Sequence, residues 1–198
     1  MPRRIVACGG QQLLFPALTR YIFDLTGRPT PKILFLPTAS GDDAANLLTF
    51  YQSLAGVPSE PSHLALFHRT VDDVDALIRG QDVVMVGGGN TANMLAIWRL
   101  HGVEDALRKA YANGTVLTGW SAGCICWFEA GITDSFTPEL GPLRDGLKLL
   151  AGSACPHYTR RSAADRCTSA RSRTACPPGS RSRRESRRGT TTSALSRS

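Results

Sequence analysis

The sequence predicts an α/β domain in which helices cover both faces of a mostly parallel sheet. Three observations carry that prediction. Short apolar runs alternate with segments of helical spacing from the N-terminus until the pattern weakens at about Leu140. The runs are continuously apolar rather than alternating, the mark of strands buried on both faces. Two glycine-rich turns, VGGGNT at 86–91 and GWSAG at 119–123, each follow such a run. Five strands interleaved with helices give a three-layer, doubly wound arrangement, and in such sheets ligands bind beyond the carboxyl ends of the strands.

In chain order, Arg4–Cys8 reads as the first strand. Gln11–Leu25 follows as a helix, with apolar residues at 14, 15, 18, 22 and 25. Lys32–Leu36 is the second strand, stopped by Pro37, and Asp42–Leu54 is a helix with Ser40 as its N-cap and Gly56 past its end. His63–Phe67 is the third strand, Val71–Ile78 a short helix and Asp82–Val86 the fourth strand. Helices Thr91–Leu100 and Val103–Ala112 flank Gly102, and the fifth strand begins at Val116–Thr118. An apolar helix over Cys124–Ala130 is expected after it, then an apolar segment, Gly146–Ala154, before Cys155-Pro156-His157-Tyr158.

Length and composition bound the function. A chain of 198 residues with 42% apolar residues suits one domain with a sizeable core. No run is long and apolar enough to span a membrane, and MPRRIVACGG is too short in its apolar part for a signal peptide. The expectation is a cytoplasmic protein with reduced thiols. Six cysteines without a CxxC pair and four histidines give no zinc pattern, and nothing in the sequence calls for a cofactor.

The net charge of +7 is uneven. Residues 159–198 hold eleven arginines and two acids, a net +9, so residues 1–158 carry −2. The expected organisation is therefore a domain at 1–158 and a disordered Arg/Ser-rich tail at 159–198, in which Leu195 is the one large aliphatic residue. The abrupt change beside an intact motif fits a shift of reading frame after Tyr158, which would leave the domain truncated at its C-terminal side. Nucleic acid is an expected partner only nonspecifically, through this tail, which has no aromatic residue for stacking on bases.

Gly119-Trp120-Ser121-Ala122-Gly123 fits G-x-S-x-G, in which a sharp strand-to-helix turn presents a nucleophilic serine. The competing reading is a purely structural turn. A serine needs a base. His63, His68 and His101 sit at element ends, whereas His157 follows Pro156 in a loop downstream of the turn. An acid should orient the imidazole. Asp134 follows the segment after the turn directly, and Glu129 and Glu139 compete with it. The run Gly87-Gly88-Gly89-Asn90-Thr91 lacks the lysine of a phosphate loop. Its better use is close approach of backbone N–H groups to a reacting carbonyl, with Gly88 or Gly89 supplying one oxyanion donor and Ala122 the other. Asn90 is a candidate for capping the following helix or for holding substrate, and Thr91 for holding substrate.

Together, VGGGNT (86–91), GWSAG (119–123), GITDSF (131–136) and CPHY (155–158), with PTAS at 37–40, resemble the peptidase E family of serine peptidases, the alpha-aspartyl dipeptidases, and their cyanophycinase-like relatives. The resemblance spans roughly residues 4–158. It implies a flavodoxin-like sheet of the class I glutamine amidotransferase type, with serine where those enzymes use cysteine. By motif, Ser121 resembles the nucleophile, His157 the base, Asp134 the acid, and Gly88 and Ala122 the oxyanion donors. The implied substrate is a small peptide, a dipeptide with N-terminal aspartate, and no cofactor is implied. Arg160 and Arg161 are the nearest cations for a substrate carboxylate. The rival expectations are an inactive homologue with an anion-binding tail and a glutamine amidotransferase-like subunit.

Overall fold

The computed structural model describes residues 2–11, 13 and 15–157. Expectations for Tyr158, Arg160, Arg161 and the 159–198 segment lie outside the described residues.

Five parallel strands form the main sheet: β1 (Ile5–Cys8), β2 (Lys32–Leu36), β3 (Glu60–His63), β4 (Val83–Val86) and β5 (Val116–Trp120), in spatial order β1-β5-β4-β2-β3. The continuous apolar runs are explained by the two-residue period of a strand. Leu34, Leu36, Val84, Val86 and Leu117 point into one core cluster with Trp98, Val103 and Leu107. Ile33, Phe35, Val83, Met85 and Val116 point into a second, with Ile22 and Phe50. Each face is covered, so neither can be polar.

The covering helices are α1 (Pro16–Asp24), α2 (Ala44–Ser53), α3 (Val74–Arg79), α4 (Thr91–Leu100) and α5 (Val103–Ala112). Both α4 and α5 have the bounds their apolar spacing predicts. Others differ for local reasons. Helix α1 does not begin at Gln11; Pro16 occupies its first turn, where a missing N–H costs nothing, and disfavours helix in the residue before it. Helix α2 is capped by Asp43, whose carboxylate accepts from Asn46 N at 3.0 Å, not by Ser40. Ser40 closes a 3-10 turn at Thr38–Ser40, and Gly41, at φ 72°, then turns the chain left-handed. Asp73 likewise caps α3. Strand β3 ends at His63 rather than beginning there. It is an edge strand, where Pro61 needs no ladder partner for its missing N–H, and Leu64 and Leu66 are buried just beyond it.

The largest departure follows β5. The expected helix over Cys124–Ala130 is only one turn, α6 (Ala122–Ile125), and the chain then enters strand β6 (Phe128–Thr133). Strand β6 pairs antiparallel with β7 (Gly141–Leu143) and parallel with β8 (Leu150–Ala154), forming a second, three-stranded sheet in the order β7-β6-β8. Backbone proximity allows the tight fold-back: a Cβ at Gly131 would lie 2.4 Å from Ile125 Cγ2, and one at Gly146 would lie 2.1 Å from the Phe128 carbonyl oxygen. An apolar run this short carries no period that separates helix from strand.

Candidate active site

The site is assembled from both sheets. Strand β5 ends at Trp120, and Ser121 follows at φ 55° and ψ −111°, outside the ordinary regions for an L-residue. Such strain costs of the order of 1–3 kcal/mol and persists only where the surroundings over-determine it. Here they do. A Cβ at Gly119 would meet Val86 O at 2.7 Å and Gly123 O at 2.6 Å, and one at Gly123 would meet Val86 O at 2.3 Å. The turn is therefore pressed against the end of β4 so closely that only glycine fits on either side of Ser121.

The first glycine-rich turn is held by the same logic. Gly89 has φ 139°, and a Cβ there would fall 2.1 Å from Ala39 O. Asn90 N donates to Ala39 O at 2.7 Å, so the PTAS turn clamps this loop. A Cβ on Gly88 would lie 3.2 Å from Ser121 Cβ, which places the loop beside the serine. The N–H groups of Gly88, Gly89 and Ala122 donate to no other described residue, and Ala122 N stands at the start of α6. They remain available to an oxygen in the cleft.

His157 arrives from the second sheet, just beyond β8. Its Nε2 lies 3.0 Å from Ser121 Oγ, a hydrogen-bond distance. It too has left-handed backbone, φ 59°. The end of β1 holds both residues: Ser121 N donates to Cys8 O and His157 N to Gly9 O, each at 3.3 Å. These main-chain anchors have no sequence signature, since any residue offers a carbonyl.

Ser121 and His157 border a cavity of about 350 Å3 whose wall includes Gly89, Asn90, Thr91 and Asp134. Asn90 is committed to structure: its Oδ1 accepts from Asn93 N at 2.8 Å as the cap of α4, and its Nδ2 donates to Ser135 O at 3.0 Å. Thr91 N donates to Ser135 Oγ at 2.8 Å. Ser135, inside the GITDSF motif but not singled out by sequence reasoning, is thus the pin between the second sheet and the N-terminus of α4. Asp134 is exposed and borders the cavity, and among the described residues no hydrogen bond joins it to His157. Its competitor Glu129 accepts from Gly152 N at 3.2 Å and does not line the cavity. Of the other histidines, His63 Nδ1 lies 2.8 Å from the Tyr51 hydroxyl, and none borders the cavity.

Cys124, three residues after Ser121, offers no competing nucleophile. Burial first, then the neighbouring Cys8 and Cys155, push its thiol up to about 12, so it is protonated at neutral pH. Among the described residues no group of His, Cys, Asp and Glu could hold a metal ion, and no helix is long and apolar enough to cross a membrane.

A hydroxyl and an imidazole in contact at the carboxyl edge of a parallel sheet, beside backbone donors that no described residue occupies, define the class: a hydrolase built on a mostly parallel α/β sheet. The chain belongs to peptidase family S51, whose family model matches residues 5–180. It is 43% identical over 162 residues to the uncharacterized peptidase YgaJ of Bacillus subtilis, covering 79% of this chain and 69% of that protein. It is 29% identical over 156 residues to peptidase E of Nostoc sp., covering 76% and 61% respectively. Among solved structures, a candidate peptidase E from Listeria monocytogenes EGD-e superposes with a TM-score of 0.64 at 17% identity, over 84% of this chain and 85% of that one. A peptidase from an acI-B1 actinobacterium gives 0.59 at 18%, over 79% and 68%. The neighbours share the α/β fold with its mostly parallel sheet.

Proposed function

We propose that the chain is a serine-type peptidase acting on short peptides, dipeptides with N-terminal aspartate among them, through an acyl-enzyme on Ser121. The observation that carries this reading is the 3.0 Å approach of His157 Nε2 to Ser121 Oγ. The Ser121 hydroxyl donates its proton to the unprotonated Nε2 as Oγ attacks the peptide carbonyl. The oxyanion is received by the N–H of Gly88 or Gly89 and that of Ala122, which no described residue occupies. The protonated imidazole gives its proton to the departing amine, and a water molecule then hydrolyses the ester, with His157 again as base.

The cavity volume suits a dipeptide-sized ligand. The preference for N-terminal aspartate rests on the family resemblance. The test is hydrolysis of Asp-Leu by the full 198-residue chain, together with labelling by a fluorophosphonate. Cleavage and a label on Ser121, both lost in Ser121→Ala, are the expected result. Cleavage that persists in that variant eliminates the serine mechanism.

A further inference from the structure

The three tryptophans present three different indole N–H groups. Trp98 Nε1 is buried and donates to Thr38 Oγ1 at 3.1 Å. Trp127 Nε1 is sealed in the core without a partner. Trp120 is only 7% exposed, yet its Nε1 donates to no described residue. Nor is it sealed: among the described residues the sealed, unpartnered side-chain atoms are Asp42 Oδ1 and Trp127 Nε1. The small part of Trp120 that stays exposed therefore includes its N–H. The ring is held in place, stacked at 5.8 Å on Phe35, which stacks in turn on Phe50 at 4.8 Å. A buried indole N–H ordinarily finds an acceptor. This one is fixed and open.

Its position says which acceptor it meets. A Cβ on Gly88 would lie 3.1 Å from Trp120 Nε1 and 3.2 Å from Ser121 Cβ, so the indole nitrogen and the serine share one side of the Gly88 Cα. The strand order β1-β5-β4 puts this flank opposite His157, whose N is anchored to Gly9 O just past β1, whereas Gly88 follows β4. In acyl transfer the imidazole protonates the departing amine, so the leaving half of the peptide lies on its side of Ser121. The half that acylates Ser121 is then turned toward Gly88 and Trp120. An indole N–H donates and does not accept, so what it recognises there is an oxygen. The main-chain oxygen of the acyl group goes to the N–H groups of Gly88 or Gly89 and Ala122. The oxygen left for Trp120 is one on the side chain. An aspartyl side-chain oxygen ends roughly 4 Å from the acyl carbon, far enough to cross from Ser121 to the indole, whereas alanine and leucine carry no acceptor.

We infer that Trp120 reads the side chain of the residue that acylates Ser121, its Nε1–H donating to a side-chain oxygen. This rests on the peptidase reading of Ser121 and gives the aspartate preference a residue of this chain. The first test is binding. In the Ser121→Ala chain, where no cleavage intervenes, NMR follows the isotope-labelled indole N–H signals with saturating Asp-Leu, Asn-Leu and Ala-Leu, the Trp120 signal being assigned by its loss in Trp120→Phe. Asp-Leu and Asn-Leu are expected to move the Trp120 signal downfield and to slow its exchange with water, and Ala-Leu to do neither. The Trp98 signal, already bonded to Thr38, stays in place with all three. The second test is turnover. Trp120→Phe keeps an aromatic ring on Phe35 and is expected to lower the ratio of kcat/KM for Asp-Leu over Ala-Leu by about tenfold, the loss of one charge-assisted hydrogen bond. A Trp120 signal that Asp-Leu leaves unmoved overturns the inference. So does an unchanged ratio in Trp120→Phe, including an equal fall for both peptides, which would make Trp120 a brace for the turn. Failure of the peptidase reading itself shows elsewhere, as absent cleavage and absent label on Ser121.

Discussion

The two sheets contribute to one site by opposite means. The five-stranded sheet presents Ser121 and the Gly88–Gly89 loop through backbone packing so close that side chains are excluded. The three-stranded sheet presents Asp134 and His157 through hydrogen bonds: Ser135 to the start of α4, and His157 N to Gly9 O. The lesson is that the half of the site carrying Ser121 resists almost any added atom, whereas the half carrying His157 depends on a few polar contacts that can be removed singly.

The largest effect expected is on chemistry. Ser121→Ala lowers peptide hydrolysis by about 10³-fold or more, with the thermal midpoint close to that of the parent chain. A modest loss would mean that the strained turn is only structural.

Next is a pair of glycines, one packed against the end of β4 beside Ser121 and one in β8 away from any close contact. Gly123→Ala drives a methyl group to 2.3 Å from Val86 O and is expected to cost about 3 kcal/mol in urea unfolding. Gly152→Ala in β8 meets open space and has only its φ of 90° to strain, so it is expected to cost about 1 kcal/mol. Equal losses would break the contrast.

Ser135→Ala removes the pin and is expected to cost about 1 kcal/mol in stability. It also raises KM more than it lowers kcat, measured on Asp-Leu, since what it loosens is the wall rather than the Ser121–His157 pair.

The smallest effect lies far from the site. A hydrogen bond from Lys109, then one from Arg79, holds the Asp75 carboxyl below its ordinary value of 3.8. The folded chain therefore keeps this carboxylate ionised to lower pH than the unfolded chain does. Its contribution is present above pH 3.8 and is lost as pH falls through the lowered value. Asp75 keeps 36% of its side chain exposed and its cationic partners are more exposed still, so solvent screens the pairs and Asp75→Asn is expected to change the midpoint of acid unfolding only slightly.

The main sheet was legible because burial on both faces leaves a chemical trace. Lys32–Leu36, Thr91–Leu100 and Val103–Ala112 could be read with their bounds intact, since each needs apolar residues at fixed spacing. The second sheet was not. Phe128–Thr133 is half-covered, bears Glu129 and Gly131, and reads equally as the end of a helix.

The sequence by itself determined the class of fold and where Ser121 sits on it, because two glycine turns after buried strands are forced by sterics that any chain obeys. It also put Ser121, His157 and Asp134 forward as chemical types. Only the tertiary structure decided how they meet. Ser121 and His157 touch because the end of β1 holds both main chains, and carbonyl anchors are independent of side-chain identity. Asp134 borders the cavity without bonding His157 because Ser135 fixes its backbone to α4, a contact between residues 44 positions apart that no local pattern encodes.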